Sequence, residues 1–303
     1  MAEQLGSSTG KLGFGFMRLP KRADGSFDMD QVKTMVDHFM EAGFTYFDTA
    51  YVYDDGASER ALKESLVDRY PRESFVVATK MCAWQQAEDA KAAKQQFYTS
   101  LERTGAGYFD FYLLHNIYEA SIEVYLDEQW GIADYFVEQK KNGRIRHLGF
   151  SCHGRPETLK RFLDYGARKY AELEQRDPET AALFAGNNIM EFCQIQLNYL
   201  DWTLQDAAAK TALLESMNIP IVVMEPLRGG KLAHLNDAQM QQLNASALGG
   251  ANSSARSAVE WSFRWLLGIP NVKTILSGMS DLAQVEENCR IFQESAPLSE
   301  AEE

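Results

Sequence analysis

Apolar residues along the chain switch repeatedly between helical and strand spacing. Between Asp28 and Gly43 the apolar positions recur every three or four residues, which is typical of a helix that buries one face. These positions are Val32, Met35, Val36, Phe39 and Met40. Asp28 with Gln31 predicts the start of this helix, and Gly43 predicts its end. The short apolar stretch FTYFD that follows predicts a strand.

The alternation continues along the rest of the chain. The predicted strands are FTYFD, SFVVATK, YFDFYLLH, IRHLGFS, EFCQIQLN, IPIVVMEPL and VKTILSG, and a helix-prone segment follows each of them. KLGFGFM, from Lys11 to Met17, supplies one more strand ahead of these. Repeated strand–helix units require parallel pairing with right-handed crossovers. The strands together number eight and predict a closed (β/α)8 barrel, the TIM barrel, as a single α/β domain.

An open doubly wound sheet is the alternative α/β architecture. Its first turn would carry the fingerprint GxGxxG between a strand and a helix. LGFGFM contains two of these glycines, but no third glycine and no helix follow. The barrel is therefore favoured.

Two segments fit the repeat less well. Residues 165–190 are too long for a simple connection, and their polar, helix-prone sequence predicts a helical insertion within a barrel domain that spans residues 1–295. Near the end, Ser299 lies three positions before Glu302, which is the spacing of a capping box. Because no helix follows this start, we expect residues 296–303 to begin a truncated C-terminal segment.

Composition and charge argue against several classes of protein. The net charge of −13 disfavours binding to nucleic acids or membrane surfaces, since both are anionic. The four cysteines contain no CxxC pair, so neither a zinc ribbon nor a disulfide framework is indicated. The sequence shows no secretory signal and no apolar run long enough to cross a bilayer. We therefore expect a cytoplasmic protein of bacterial type without nucleic-acid or membrane partners.

Four polar residues stand at or just beyond the ends of three consecutive predicted strands. Asp48, Lys80 and His115 end their strands, and Tyr53 lies in the loop after Asp48. Each residue alone has a plain structural explanation, such as a helix cap or a solvated side chain. In a TIM barrel, however, the carboxyl ends of the strands meet at one mouth, where catalytic groups lie. Their joint placement therefore predicts an active site.

The segments around these residues resemble the aldo-keto reductase family. FDTAYVY is similar to the family's Asp-Thr-Ala-x-x-Tyr segment, ASERALKESL to its Ser-Glu-x-x-Leu helix, and VVATK to its lysine strand. YFDFYLLH, GRIRHLGFS, QIQLNY, MEPLRGGKL and TILSGMS follow in the family's order. MEPLRGG and SGMS resemble a bacterial branch whose members often carry a C-terminal ferredoxin-like iron–sulfur segment, but no cluster motif is present here. The resemblance implies a barrel that binds a nicotinamide cofactor across its mouth without a Rossmann domain.

The resemblance also implies NAD(P)H-dependent reduction of an aldehyde or ketone to an alcohol, reversibly. Tyr53 would donate the proton, and the Lys80 ammonium would lower the phenol pKa from its ordinary value of about 10. Asp48 would hold Lys80 in place as its counterion. His115 would donate a hydrogen bond to the substrate oxygen and orient it.

Cofactor contacts are implied by the same resemblance. Ser151 and Gln194 match the residues that bind the carboxamide, and Met224 stands where the family often stacks an aromatic ring on the nicotinamide. Gly15, Phe16 and Met17 match the loop at the nicotinamide ribose and pyrophosphate. Pro226, Leu227 and Gly229 match the pyrophosphate loop, where Arg228 adds positive charge. The positions that match the adenosine end are Gly278, Ser280, Gln284, Glu287 and Asn288.

Two further departures from the family bear on cofactor binding. Cys152 replaces the asparagine that usually follows the carboxamide serine, so one hydrogen bond is expected to be missing. Gln284 replaces the arginine that commonly binds the 2′-phosphate, which predicts weak discrimination between NADP and NAD. Family frequency favours NADP(H), NAD(H) stays possible, and no metal is expected.

A non-enzymatic alternative stays open. Some barrels similar to this family act as cofactor-binding regulatory subunits or redox sensors with little turnover, although the four catalytic positions favour an enzyme. Trp84, Tyr51, Phe16 and Tyr118 are candidates to line an apolar substrate pocket. The substrate is expected to be a small carbonyl compound or alcohol, and the sequence specifies neither its identity nor the oligomeric state.

Overall fold

The eight predicted strands form a closed parallel barrel. They are β1 Leu12–Gly15, β2 Tyr46–Asp48, β3 Val76–Met81, β4 Phe109–Ile117, β5 Ile145–Cys152, β6 Cys193–Gln196, β7 Ile221–Met224 and β8 Val272–Ser277. Their order around the barrel follows the chain, and β8 pairs with β1 to close it. This computed structural model describes residues 11–247, 256–294, 296–300 and 302. The predicted single-domain (β/α)8 barrel is confirmed.

Helices surround the barrel and connect the strands. They are α1 Met29–Glu41, α2 Ala57–Leu62, α3 Ala83–Gln86, α4 Ala90–Thr104, α5 Ile122–Leu126, α6 Ile132–Lys141, α7 Pro156–Arg176, α8 Pro178–Ala181, α9 Asp201–Leu204, α10 Ala207–Ser216, α11 Asp237–Ala247, α12 Ala258–Leu267 and α13 Leu282–Glu294. Asp28 caps α1, since its side chain accepts a hydrogen bond from the Gln31 amide. Among the described helices, none is both long enough and apolar enough to span a membrane.

The two segments that fitted the repeat poorly have defined structure where they are described. Within 165–190, α7 runs on to Arg176, and α8 follows directly with Asp177 as its cap. At the C-terminal end, the Ser299 amide donates to Glu302 Oε2 at 2.8 Å, which is one half of a capping box. The other half is absent, because the Ser299 hydroxyl donates to the same oxygen at 2.9 Å and the Glu302 amide donates to the Ser299 carbonyl oxygen. Residues 1–10, 248–255 and 295 of the predicted barrel domain, and residues 301 and 303 of the predicted C-terminal segment, lie outside the described residues.

Buried side chains form two layers because successive strand residues point to opposite faces. The larger layer packs between strands and helices and includes Phe47, Val77 and Leu114. The smaller layer fills the inside of the barrel. It consists of Tyr46, Ala78, Phe111, Leu113, Phe192, Val222 and Leu276, with Val76 packed against them.

The close approach of β5 to Phe192 yields a test of this interior packing. A Cβ atom at Gly149 would lie 2.5 Å from the Phe192 ring and 2.6 Å from its carbonyl oxygen. Because a backbone oxygen cannot rotate away, we expect Gly149→Ala to lower the free energy of unfolding by about 2–3 kcal/mol. Gly186→Ala, where nothing lies within 4 Å of the added carbon, should change it by less than about 0.5 kcal/mol. Urea unfolding measures both variants, and equal stabilities would contradict the packing described here.

Candidate active site and cofactor cleft

The four predicted catalytic side chains lie together at the carboxyl ends of β2, β3 and β4. Lys80 Nζ donates to Asp48 Oδ1 at 2.5 Å, to the Thr49 carbonyl oxygen at 2.8 Å and to Tyr53 Oη at 3.4 Å. The Tyr53 and His115 rings meet edge to face, with their centroids 6.0 Å apart. The ammonium therefore links the carboxylate and the phenol, and the imidazole borders the phenol.

Strand periodicity explains why these side chains converge. Each strand contributes a residue that fills the barrel interior and, two positions later on the same face, a polar residue at the mouth. These pairs are Tyr46 and Asp48, Ala78 and Lys80, and Leu113 and His115. The same step leads from Phe192 to Gln194 and from Val222 to Met224.

Lys80 and Asp48 form a buried ion pair. The Lys80 side chain is fully buried and that of Asp48 is 5% exposed. Burial acts to lower the pKa of Lys80, but the Asp48 carboxylate and Tyr53 outweigh it, so the pKa is raised and the amine stays charged. Burial raises the pKa of Asp48 despite the opposing effect of Lys80. The charge on each partner therefore depends on the presence of the other.

The expected net decrease in the pKa of Tyr53 is not found. Lys80 does act to lower this pKa, but burial of the phenol raises it by more, and the Asp48 carboxylate adds to the increase. The prediction from sequence identified the correct neighbour and left out the larger effect of desolvation. The free protein therefore holds Tyr53 as a neutral phenol near neutral pH.

His115 is neutral and is held through its backbone. Burial, the Lys80 ammonium and His153 lower its pKa to about 3. Its carbonyl oxygen accepts hydrogen bonds from Trp84 Nε1 at 3.1 Å and from the Tyr125 hydroxyl. Its Nδ1 atom is buried without a hydrogen-bond partner among the described residues. The imidazole is thus available as a neutral hydrogen-bonding group.

The two predicted carboxamide residues lie on β5 and β6 beside this cluster. Ser151 Oγ is buried and has no hydrogen-bond partner in the described part of the chain. Gln194 Nε2 donates to Asp48 Oδ2 at 3.2 Å, so it also orients the carboxylate. Met224 ends β7 and is half-buried. Cys152 Sγ is buried and lies 4.0 Å from the Gly154 carbonyl oxygen, on the helix-facing layer rather than at the mouth.

A cavity of about 440 Å³ opens between the loops after β7 and β8. Eight of the predicted cofactor residues line it: Pro226, Leu227, Gly229, Gly278, Ser280, Gln284, Glu287 and Asn288. Gly15 borders it from β1, where an added Cβ would lie 3.4 Å from the Ser277 carbonyl oxygen. Gly229 adopts φ +64°, which favours glycine. The cavity has room for the phosphate and adenosine parts of a dinucleotide.

Three predicted residues take other positions. The Phe16 ring is fully buried against Phe14 and Phe47 and does not line the cavity. Met17 is 52% exposed and does not line the cavity. Arg228 Nε lies 3.4 Å from the buried Asp201 Oδ1, and Arg228 does not line the cavity.

Arg18 is a cation that the sequence prediction missed. It lines the cavity, and its Nη2 atom contacts Glu225 Oε1 at 3.2 Å. An added Cβ at Gly278 would lie 3.2 Å from Arg18 Cδ, so this glycine lets the side chain cross the cavity wall. No local sequence signal marks Arg18, because its partners stand at the opposite end of the chain.

The polar groups at the predicted adenosine end already bond to one another. Gln284 Oε1 accepts from the Ser280 amide at 2.9 Å, and its Nε2 donates to Asp281 Oδ2 at 2.9 Å. Glu287 accepts from the Ser257 hydroxyl at 2.8 Å. The Ser280 N–H is therefore engaged rather than open to a phosphate.

The TIM-barrel fold and the polar cluster at its mouth agree with a known family of oxidoreductases. The family model described as the aldo/keto reductase family matches residues 11–302, and the chain belongs to this family. It is 24% identical to L-galactose dehydrogenase of Arabidopsis thaliana over 303 residues, covering 97% of this chain and 87% of that protein. It is 24% identical to an uncharacterized oxidoreductase of Bacillus subtilis over 284 residues, covering 86% and 82%.

Solved structures show the same fold. An aldo-keto reductase from Bacillus halodurans in its holo form has a TM-score of 0.73 and 24% identity, covering 99% of this chain and 93% of that one. An aldo-keto reductase from Klebsiella pneumoniae in complex with NADPH has a TM-score of 0.69 and 19% identity, covering 98% and 90%.

The low pKa of His115 makes the free energy of unfolding depend on pH. Because this pKa is lowered from 6.5 to about 3, the unfolded chain binds the proton first, and the stabilisation present above pH 6.5 is lost as the pH falls. Between pH 6.5 and about pH 3, we expect the free energy of unfolding of the wild type to fall by about 1.4 kcal/mol per pH unit more than that of His115→Asn. Urea unfolding at several pH values measures the difference, with His234→Asn at an exposed position as the control. A wild-type-to-variant difference that is independent of pH would contradict the burial of a neutral imidazole.

Proposed function

We propose that the protein is an NAD(P)H-dependent reductase that converts an aldehyde or ketone to an alcohol and can catalyse the reverse reaction. The observation that carries this proposal is the position of Lys80 Nζ between Asp48 Oδ1 and Tyr53 Oη. A buried ammonium paired with a carboxylate on one side and a phenol on the other is suited to proton transfer. Membership of the aldo/keto reductase family supports the same reaction class.

When bound, the reduced nicotinamide supplies a hydride to the carbonyl carbon. Tyr53 Oη gives its proton to the carbonyl oxygen, which completes the alcohol. The Lys80 ammonium stabilises the phenolate that is left, and Asp48 keeps Lys80 charged. The neutral His115 ring donates a hydrogen bond to the same oxygen and fixes its position.

The residues present fit a nicotinamide dinucleotide. The unpaired Ser151 hydroxyl offers a hydrogen bond to the carboxamide, and reaching this buried group requires the side chains that cover it to shift. Arg18 supplies positive charge at the cavity for the phosphates. Asn288, whose Nδ2 atom donates to Ser277 Oγ at 3.0 Å, and Glu287 would border the adenine.

The cysteines do not support the alternative that the protein is a redox sensor. All four are buried free thiols. Burial raises the pKa of Cys82 and of Cys152 to about 11, which makes these thiols unreactive at neutral pH. A thiol-based redox sensor would need an accessible thiol whose pKa is lowered. Reduced thiols agree with action in the cytoplasm, which we also propose.

Removing the phenolic hydroxyl tests the proposed proton donor. We expect the wild-type protein to consume NADPH with 4-nitrobenzaldehyde, and Tyr53→Phe to lower kcat by at least about a hundredfold, the usual contribution of a general acid. Because burial raises the pKa of Tyr53, reduction should persist above neutral pH, whereas alcohol oxidation should increase as the pH rises.

The matched control is Tyr98→Phe, which removes a hydroxyl from an exposed residue of α4 and should keep the wild-type kcat. NADPH binding measured by fluorescence should be equal in all three proteins. Cofactor binding by the wild type without any carbonyl reduction would favour a regulatory protein instead.

Cofactor preference follows from the position of Gln284. We propose that NADP(H) is favoured but only weakly discriminated from NAD(H), since the described residues lining the adenosine end include the acidic Glu287 and no lysine or arginine apart from Arg18. We expect Gln284→Arg to tighten NADPH binding about tenfold more than NADH binding, as one charge-assisted hydrogen bond would. Gln293→Arg, on the same helix, is the control. Equal affinities, or tighter NADH binding by the wild type, would overturn the NADP preference.

A further inference from the structure

The backbone directly after Tyr53 is strained. Asp54 and Asp55 adopt φ/ψ of 44/48° and 50/40°, and Gly56 follows at φ +78°. Glycine occupies this left-handed region readily, whereas other L-residues do so at a cost of order 1 kcal/mol or more each. Such a conformation persists where surrounding contacts determine it. Here it fixes the course of the backbone directly after Tyr53.

An ion pair to a different loop restrains this turn. Lys21 Nζ contacts Asp54 Oδ1 and links the loop after β1 to the loop after β2. Lys21 is itself fixed, because it forms an antiparallel bridge with Phe27 and its ammonium lies 5.4 Å from the centroid of that ring. The loop after β1 is also joined to the start of α2, where Ser58 Oγ donates to the Phe16 carbonyl oxygen at 2.9 Å.

The phenol position is sensitive to small shifts of this turn. Tyr53 Oη lies 3.4 Å from Lys80 Nζ, near the outer limit of a hydrogen bond. Lys80 is held by Asp48 and the Thr49 carbonyl oxygen, so it cannot follow the phenol if the turn moves. A displacement well below 1 Å would break the contact, and misplacement on this scale can slow catalysis strongly.

We propose that Lys21 and Asp54 are positioning residues that hold Tyr53 against Lys80. This inference rests on the proposed catalytic role of Tyr53. Both side chains lie outside the cofactor cavity and the catalytic cluster, so they act on the reaction through the turn. The side chains are 46% and 27% exposed, so the ion pair is of the kind that added salt weakens.

Isosteric and charge-removing variants test the pair. Asp54→Asn and Lys21→Met should each lower kcat for 4-nitrobenzaldehyde about two- to fivefold, as expected for a partly exposed ion pair, with NADPH affinity unchanged. The double variant should be no slower than the slower single variant. Raising NaCl should bring the wild-type kcat toward that of the variants and leave theirs unchanged. Asp54→Gly, which relieves the backbone strain and also removes the carboxylate, should be as slow as Asp54→Asn.

The matched control is the exposed pair Lys160–Asp164 on α7, with a separation of 2.7 Å. Lys160→Met and Asp164→Asn should leave kcat and its salt dependence at wild-type values. Variants of Lys21 and Asp54 that keep wild-type kcat while Tyr53→Phe is inactive would overturn the proposal. So would an equal loss of kcat and of NADPH affinity, since that would indicate general loosening of the fold.

A second readout does not depend on turnover. In protein labelled with 3-fluorotyrosine, the ¹⁹F signal of Tyr53 is identified by its absence in Tyr53→Phe. We expect Lys21→Met and Asp54→Asn to shift or broaden this signal, and Lys160→Met to leave it in place. An unchanged signal overturns the positioning role, whether or not the wild type reduces a carbonyl. Absence of carbonyl reduction by the wild type counts against the proposed function instead.

Discussion

The candidate active site depends on a charged amine that is completely buried. An isolated ammonium inside a barrel would lose its proton, because burial disfavours the charged form. Asp48, the Thr49 carbonyl oxygen and Tyr53 surround the amine of Lys80 and keep it charged. Gln194 in turn holds the second oxygen of Asp48. The carboxylate, the amine and the phenol therefore form one electrostatic unit, in which the amine keeps its charge because of its two neighbours.

Barrel geometry supplies the alignment that this unit needs. The interior layer ends with Tyr46, Ala78 and Leu113, and the next inward-facing positions of the same strands are polar. Register between neighbouring strands places Asp48 opposite Ala78 and Lys80 opposite Leu113. A one-residue slip in any of these strands would turn its functional side chain toward the helices. Packing of the interior therefore also determines which groups meet at the mouth.

Sequence patterns were sufficient to predict the strands and the convergence of Asp48, Tyr53, Lys80 and His115, because both follow from periodicity and local motifs. They were insufficient where distant parts of the chain meet. Arg18 faces Glu225 across 207 positions, and Arg228 is drawn to a buried Asp201, which no local pattern indicates. The direction of the Tyr53 pKa shift also depends on burial that arises only in the folded barrel. The sequence prediction thus failed where the outcome depends on which distant groups the fold brings together and on how deeply it buries them.

The Arg18–Glu225 pair shows how an acidic protein can receive an anionic cofactor. With a net charge of −13, the protein repels a dinucleotide at long range, so attraction must be local. Glu225 Oε1 lies 3.2 Å from Arg18 Nη2 and holds the guanidinium at the cavity, where we propose that the cofactor phosphates bind. Because the Arg18 side chain is 49% exposed, this contact is worth at most about 1 kcal/mol, and a phosphate can displace it at little cost. A weak internal pair thereby keeps the cation oriented without competing strongly with the ligand.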